Sequence, residues 1–347
     1  MVKIGDISVG DFPLLLAPME DVSDPPFRAL CKENGADVVY TEFISSEGLI
    51  RDAAKSVQKL DIYEKERPVG IQIFGANLDS MLRSVEIVEA SKPDIIDINF
   101  GCPVKKVVSK GAGAGILRDI PLMVKLTAEM AKHTSLPLTV KTRLGWDHNS
   151  IKIVEVAERL QDAGAKAISI HGRTRAQMYK GDADWKPIAA VKNNTRMHIP
   201  IFGNGDIDSP ELAMEMRDRY GLDGAMIGRA SIGNPWFFNQ VKHYFERGTH
   251  CEPPTLKDRV LVAKRHLEMS IAWKGEVLGV LETRRHYTNY FKGILNFKPY
   301  RTAMVTANDP NDVFDTLNRV LEEVVEPVYG YNLSVHSSTS PSRSHTT

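Results

Sequence analysis

Ile95-Ile-Asp-Ile-Asn-Phe-Gly-Cys-Pro-Val-Lys-Lys-Val107 decides how the rest of the chain is read. Ile95, Ile96 and Ile98 are β-branched and nearly continuous, which predicts a buried strand. Gly101 and Pro103 then turn the chain sharply. Cys102 sits on that turn, with Lys105 and Lys106 behind it and a glycine-rich run, 111–115, a few residues on. A thiol at the end of a buried strand, beside positive charge, is placed to give up or take back a proton. An isolated free cysteine is more often a small, inert core residue. Here Asn99, the Gly-Cys-Pro turn and the two lysines favour chemistry over packing.

Working outward, the same strand grammar recurs on both sides. Apolar runs at 14–17, 38–41, 69–74, 136–141, 167–171, 199–202 and 224–227 read as strands. Helical spacing is expected near 26–34, 79–90, 121–132, 151–163, 185–192 and 210–220, with Gly35 and Gly164 as stop signals. Strands alternating with helices mean βα units on a parallel sheet. About eight such units in roughly 240 residues match the size of a (β/α)8 TIM barrel. A doubly wound open sheet would want a Gly-x-Gly-x-x-Gly turn after an early strand, and none is found there. From about Pro253 only helical spacing remains, near 256–273, 276–295 and 311–325. The expected organisation is therefore a barrel over 1–248, an all-helical domain over 254–330 and a disordered tail over 334–347, where Ser, Thr and His predominate.

The chain has 347 residues, of which 42% are hydrophobic, enough for a large core. Its formal net charge is zero, so any nucleic-acid surface has to be local. Three cysteines make no disulfide framework and suit a reducing cytoplasm. No apolar run is long enough to span a bilayer, and the first residues lack an apolar signal core. No paired Cys-x-x-Cys or His-x-x-x-His suggests a metal site.

In a barrel, functional side chains come from the carboxyl ends of the strands. Pro18, Met19, Gln72, Asn99, Cys102, Lys141 and His171 all fall there. So do the loops 203–206 and 228–229, which follow the seventh and eighth strands. Glycines in those two loops let backbone N–H groups approach a phosphate, the following helix starts add their dipoles, and Arg229 adds a charged donor. Lys141 reads as a solvent-reaching lysine, a Schiff-base lysine, or a fixed charge beside a flavin. The helical segment carries a local excess of Lys and Arg, including Arg284 and Arg285, interleaved with Tyr287, Tyr290 and Phe291. Such a face suits a phosphate backbone and exposed bases.

Together these motifs resemble the tRNA-dihydrouridine synthases, and among them the bacterial B-type group. The resemblance rests on Ala17-Pro-Met19, Asp24-Pro-Pro-Phe-Arg28, Gln72-Ile-Phe-Gly75, Asp97-Ile-Asn-Phe-Gly-Cys-Pro-Val-Lys-Lys-Val107, His171-Gly-Arg-Thr-Arg175, Asn204-Gly-Asp206 and Ile227-Gly-Arg229. It implies FMN, reduced by NADPH, and saturation of the uracil C5–C6 bond of uridines in tRNA, with a C-terminal helical domain that helps hold the tRNA. By position, Pro18, Met19, Glu20, Gln72, Lys141, His171, Asn204, Gly205, Asp206, Gly228 and Arg229 would contact the flavin. Cys102 would protonate C5 after hydride reaches C6. Asn99, Lys105, Lys106, Arg173, Arg175, Arg284 and Arg285 would contact the RNA. The turn after the first strand, Met19-Glu-Asp-Val-Ser-Asp24, departs from the family by putting Glu20 near the flavin edge. Rival readings are a free-pyrimidine flavin oxidoreductase of the dihydroorotate dehydrogenase type and a non-catalytic tRNA-binding protein. The oligomeric state is left open, with a monomer as the expectation.

Overall fold

The computed structural model describes residues 1–324. The expected tail, and the end of the helical domain beyond 324, lie outside the described residues. The chain opens with a hairpin, β1 (Val2–Ile4) and β2 (Ile7–Gly10), which the sequence reading did not anticipate. Then come β3 (Leu14–Leu16), β4 (Val39–Tyr40), β5 (Ile44–Ser45), β6 (Val69–Phe74), β7 (Ile95–Asn99), β8 (Leu138–Arg143), β9 (Ala167–His171), β10 (Ile201–Asn204) and β11 (Gly224–Ile227). Eight of them run in parallel in the order β3-β11-β10-β9-β8-β7-β6-β4. A parallel bridge between Leu15 and Val38 closes the ring, with the Leu16 N–H donating to the Val38 carbonyl at 2.9 Å. The (β/α)8 barrel expected from the sequence is the observed fold. β5 is a short addition beside the end of β6.

Side chains alternate across a strand, so each barrel strand serves two cores. Inside, Leu15, Val38, Tyr40, Ile95, Ala167, Phe202 and Met226 pack with Ile4 and Val9 of the hairpin. The hairpin therefore plugs the amino-terminal end of the barrel and leaves the carboxyl end open. Outside, Leu14, Leu16, Ile71, Ile96, Ile98, Val140 and Ile168 pack against the surrounding helices. The runs read as continuous in the sequence, such as 95–98, are continuous because both of their faces are covered.

A second core, built on Leu256, Val260, Leu267, Tyr287, Tyr290, Phe291, Val313 and Leu317, belongs to the helices Leu256–Lys274, Glu276–Tyr290, Lys298–Thr306 and Pro310–Glu323. The expected long helix over 276–295 stops at Tyr290, and Lys298–Thr306 is an element the reading missed. So is Phe237–Arg247, which covers the barrel before the helical segment begins. Among the described residues, no helix is long and apolar enough to cross a membrane.

Candidate active site

The strand registers stack the barrel's polar residues in rows. Gln72, Asp97 and Thr139 are successive partners across β6, β7 and β8. One step toward the open end, Asn99, Lys141 and Ser169 form a second row, and Arg143, His171 and Asn204 a third. In-register parallel strands put residues of equal parity on the same face. That parity sends the chemistry inward and Ile96, Ile98, Val140 and Ile168 outward.

A buried chain of hydrogen bonds runs up these rows to Cys102. Asp97 accepts from Thr139 Oγ1 at 2.5 Å and from Gln72 Nε2 at 2.5 Å. Gln72 Oε1 accepts from Asn99 Nδ2 at 2.8 Å. Asn99 Oδ1 accepts from the N–H groups of Gly101 and Cys102 at 3.0 and 2.8 Å. Burial pushes Asp97 up to about 6, against its bonds from Gln72 and Thr139. Each amide can then point only one way, and the turn that carries Cys102 is held by its far end. On the other side Arg143 Nε donates to the Gly101 carbonyl at 2.8 Å.

Cys102 is 7% exposed, packed with Val107 and Ala112 and against Phe43 and Phe74. Burial pushes its thiol above the ordinary value; the Val104 N–H and Arg143 oppose this. The group is therefore a thiol at neutral pH, a proton donor rather than a nucleophile. Lys141 Nζ donates to Asn204 Oδ1 at 3.2 Å, and Asn204 Nδ2 donates to the Met226 carbonyl at 2.7 Å. Burial, then the charge of Arg143, brings Lys141 down to about 8, so it keeps its proton at pH 7. His171, also 7% exposed, is pushed well below its ordinary value by burial and by Arg143, Lys141, Arg173 and Arg229, and is neutral. Its Nδ1 is buried without a hydrogen-bond partner.

The loop after β10 is shaped by close approach. Gly205 has φ +125°, and a Cβ there would lie 2.7 Å from Ala183 and 3.4 Å from His171 Nε2. Asp206 is also left-handed, at φ 60°. Its carboxylate accepts from Arg173 at 2.8 and 2.7 Å, from Arg229 at 2.9 Å and from the Ala183 N–H at 2.8 Å. Burial works against the ionised carboxyl, but these partners outweigh it and hold it below the ordinary range. Beside this mouth lies a cleft of about 880 Å³, lined on the barrel side by Glu20, Phe43, Phe74 and Lys106 and on the helical side by Trp273 and Leu278.

A proton donor at the open end of a parallel barrel, ringed by cations and beside a cleft, is a catalytic arrangement. The model of the dihydrouridine synthase family matches residues 15–326. The chain belongs to the dihydrouridine synthase family. It is 34% identical over 327 residues to a probable tRNA-dihydrouridine synthase of Rickettsia conorii, covering 94% of this chain and 98% of that one. It is 36% identical over 309 residues to tRNA-dihydrouridine synthase B of Pseudomonas aeruginosa, covering 89% and 92%. The barrel is also similar in fold to histamine dehydrogenase from Rhizobium sp. 4-9, with TM-score 0.51 and 12% identity. That match covers 76% of this chain and 50% of the larger one, so the chain spans about half of that structure. Like its family, the chain is an oxidoreductase that saturates the C5–C6 bond of uridine in tRNA.

In this dihydrouridine synthase the expected residues divide into three groups. Gln72, Asn99, Cys102, Lys141, His171, Asn204 and the 205–206 and 228–229 loops come together at the mouth, as do Met19 and Ala17, which lie next to Gly228. Pro18 follows in the same turn. Glu20 is drawn to Lys59 at 2.6 Å, on the cleft side. Lys105 and Lys106 are exposed at the start of a short helix behind the cysteine turn. Arg285 reaches across to Asp21 at 3.3 Å and stays exposed. Two expectations need correcting. Arg173 is 3% exposed and spends its guanidinium on Asp206 and on the Lys180 and Gly181 carbonyls, so it holds the loop and is not free to touch RNA. Arg284 donates to the Ala307 carbonyl and to Asn308, closing the helical domain on itself. The reading also missed Arg143 and Tyr179. Arg143 is 4% exposed and bonded only to carbonyls. Tyr179 is exposed at the rim, with the Arg143 and Arg229 guanidiniums 5.7 and 5.5 Å from its ring. Arg143 had a signal: it stands two residues after Lys141 on one strand, hence on the same face. Tyr179 had none, since its loop has no regular period.

Proposed function

We propose that this chain makes dihydrouridine with FMN as hydride carrier, NADPH as its reductant and Cys102 as the acid. The observation that carries the reading is the thiol itself: protonated, shielded and fixed from two sides at the open end of the barrel. The residues fit a flavin phosphate. Gly205 and Gly228 allow backbone approach, Arg229 and Lys141 supply positive charge, and the orphaned His171 Nδ1 needs a partner. Pro18, Met19, Gln72, Asn204 and the backbone of Asp206 would complete the flavin contacts, with Glu20 at the rim. Held by these residues, a reduced flavin would supply the hydride for C6 of uracil.

The chain's own residues do the rest. Sγ of Cys102 gives its proton to C5, and the thiolate left behind recovers one from solvent. Lys141 and Arg143 lower the cost of that transient thiolate. Asn99 keeps one Nδ2 hydrogen to offer the base. The helical domain and the cleft it shares with the barrel hold the tRNA, with Lys105, Lys106, Arg175 and Arg285 among the contacts. The target base leaves its stack at a cost of a few kcal/mol, which backbone contacts offset. Three free cysteines suit the reducing cytoplasm that this reading assigns to the protein.

The test is anaerobic. The purified protein is reduced with NADPH and then offered unmodified tRNA transcript, uracil or orotate. Reoxidation of a yellow protein by tRNA alone supports the reading. Reoxidation only by a free pyrimidine moves the activity to that class, and no flavin even after reconstitution removes both. Cys102→Ala should keep the flavin spectrum and lose dihydrouridine formation by about 10²–10⁴-fold, the range of general acid catalysis. Turnover at the wild-type rate would end the acid assignment.

A further inference from the structure

We infer that the loops after β7, β8 and β9 form a second nucleotide subsite, which takes a phosphate-linked RNA nucleotide flanking the target uridine. The inference rests on the reading of tRNA as substrate. A cavity of about 310 Å³ opens here, lined by Leu117, Arg118, Arg143, Trp146, Ser150 and Lys152. That volume is at the lower end for small-ligand sites, the size of one nucleotide rather than of a drug-like ligand. Two guanidiniums rest against its indole: Arg118 at 4.4 Å and Arg175 at 4.7 Å from the Trp146 ring centroid.

Among the described residues, none of Arg118, Arg143, Lys152 and Arg175 has a carboxylate within 4.0 Å. The contrast with the helical segment is direct, where Arg265, Lys274 and Arg285 are all ion-paired to the barrel. The nearby Asp147 is turned into its own loop, bonded to the Asn149 N–H and to Ser150 Oγ. Arg175 Nε is buried with no hydrogen-bond partner. Three cations without counter-charges line the cavity, and a fourth with an orphaned donor lies against its indole; together they call for an anion.

The site is built rather than incidental. The Arg175 and Ala176 N–H groups donate to the Gly145 and Trp146 carbonyls, both at 2.9 Å, which locks the loop after β9 to the loop after β8. Trp146 and Arg175 are thereby held in register. An aromatic ring between guanidiniums stacks a base, while the cations take its phosphates. Arg118 is exposed, and an exposed cation–π contact is weaker than base stacking, so Arg118 can swing from the indole to a phosphate as a base arrives.

The location selects RNA over a free nucleotide. Arg143 lines this cavity and also bonds the Gly101 carbonyl of the cysteine turn. The occupant is therefore next to the reacting base. A polymer that has had one base drawn out presents its neighbouring nucleotide at that place.

The test uses flavin-loaded enzyme and unmodified tRNA transcript. Arg118→Glu and Lys152→Glu lie at exposed positions and leave the fold intact. Each should raise KM and Kd for tRNA about tenfold at low salt, with kcat and the rate of flavin reduction by NADPH unchanged. Each should also flatten the plot of log Kd against log salt by about 0.7 per phosphate lost. Trp146→Leu should weaken tRNA binding without changing that slope. Lys3→Glu, on the hairpin at the opposite end of the barrel, is the charge control and should change nothing. Unaltered tRNA affinity in all three variants would overturn the inference, as would an equal loss in the Lys3 control. A loss confined to KM for NADPH would assign the cavity to the reductant and overturn it too. Failure of wild-type enzyme to reduce tRNA would show instead that the underlying function is misread.

Discussion

Asp97 shows how much a single buried residue can decide. It touches neither the cysteine nor the mouth, yet its two oxygens orient Gln72 and so Asn99 and the N–H groups of the Cys102 turn. In Asp97→Asn one of those oxygens becomes an NH2 facing either Gln72 Nε2 or Thr139 Oγ1. A hydroxyl can accept as well as donate, so only the first orientation forces a change: the Gln72 amide would then have to flip, and the Asn99 amide with it. We expect a stability loss of about 1–3 kcal/mol, the cost of a buried unsatisfied polar group. We also expect kcat for tRNA to fall while KM for tRNA holds, because the acid is displaced and the RNA surface is not. Denaturant unfolding and steady-state kinetics check both, and an unchanged kcat would mean the turn does not depend on this relay. In the sequence Asp97 was only part of a motif, because nothing local says that its partners lie at 72 and 139.

At the scale of elements, strands were legible and some of their ends were not: those expected over 136–141 and 199–202 run two residues further, to Arg143 and Asn204. β9 and β11 fall on the residues expected, since short β-branched or small apolar runs between glycines leave little freedom. The loop after β10 was read as a phosphate loop from its glycines; in the structure Gly205 sits where a side chain would strike Ala183 and crowd His171. Gly205→Ala combines a positive φ with that contact, so we predict a loss of about 1–3 kcal/mol in stability. Flavin should also be shed more readily, measured as bound absorbance after gel filtration. Full retention of flavin would separate this loop from the phosphate site. The basic helices were read as an RNA face from a charge count. Arg265 and Lys274 instead fasten the segment to Glu33 and Asp24 of the barrel, while Arg285 stays exposed beside Asp21. A count of charges has no information about which have partners.

For the whole molecule, the joint between the two cores is polar and buried. Lys274, 4% exposed, bridges Asp24 and Glu282 at 2.5 and 2.6 Å. Phe27 packs beside it on the rings of His266 and His286. His286 Nδ1 accepts from the Gly233 N–H, so it is committed as a neutral acceptor. Burial, first among the causes, brings His266 down to about 4 and His286 well below 6.5, and His171 at the mouth shares that direction. The unfolded chain therefore binds more protons than the folded one below pH 6.5, and stability falls as pH falls through that window. His266 alone would remove on the order of 3 kcal/mol between pH 6.5 and 4, at about 1.4 kcal/mol per unit. Unfolding free energies measured from pH 8 to 4 should decline from about pH 6.5. Asp97, raised to about 6, works the other way over the same window, so the decline should be steeper in Asp97→Asn, and a flat profile down to 4 in that variant would mean that these histidines are not held neutral.

The sequence by itself determined the barrel and the family. The alternation of strands and helices, and the cysteine turn with its neighbours, are local patterns that follow from the chain's own covalent order. Tertiary structure alone decided the rest. It placed Arg143 and Tyr179 at the mouth, buried Arg173 against Asp206, turned Arg284 to Ala307 and Asn308, and left Arg118, Lys152 and Arg175 without counter-charges around Trp146. Each of those outcomes depends on which distant residues meet when the barrel closes. Partnership across space, unlike periodicity along the chain, is not written in any short stretch of residues.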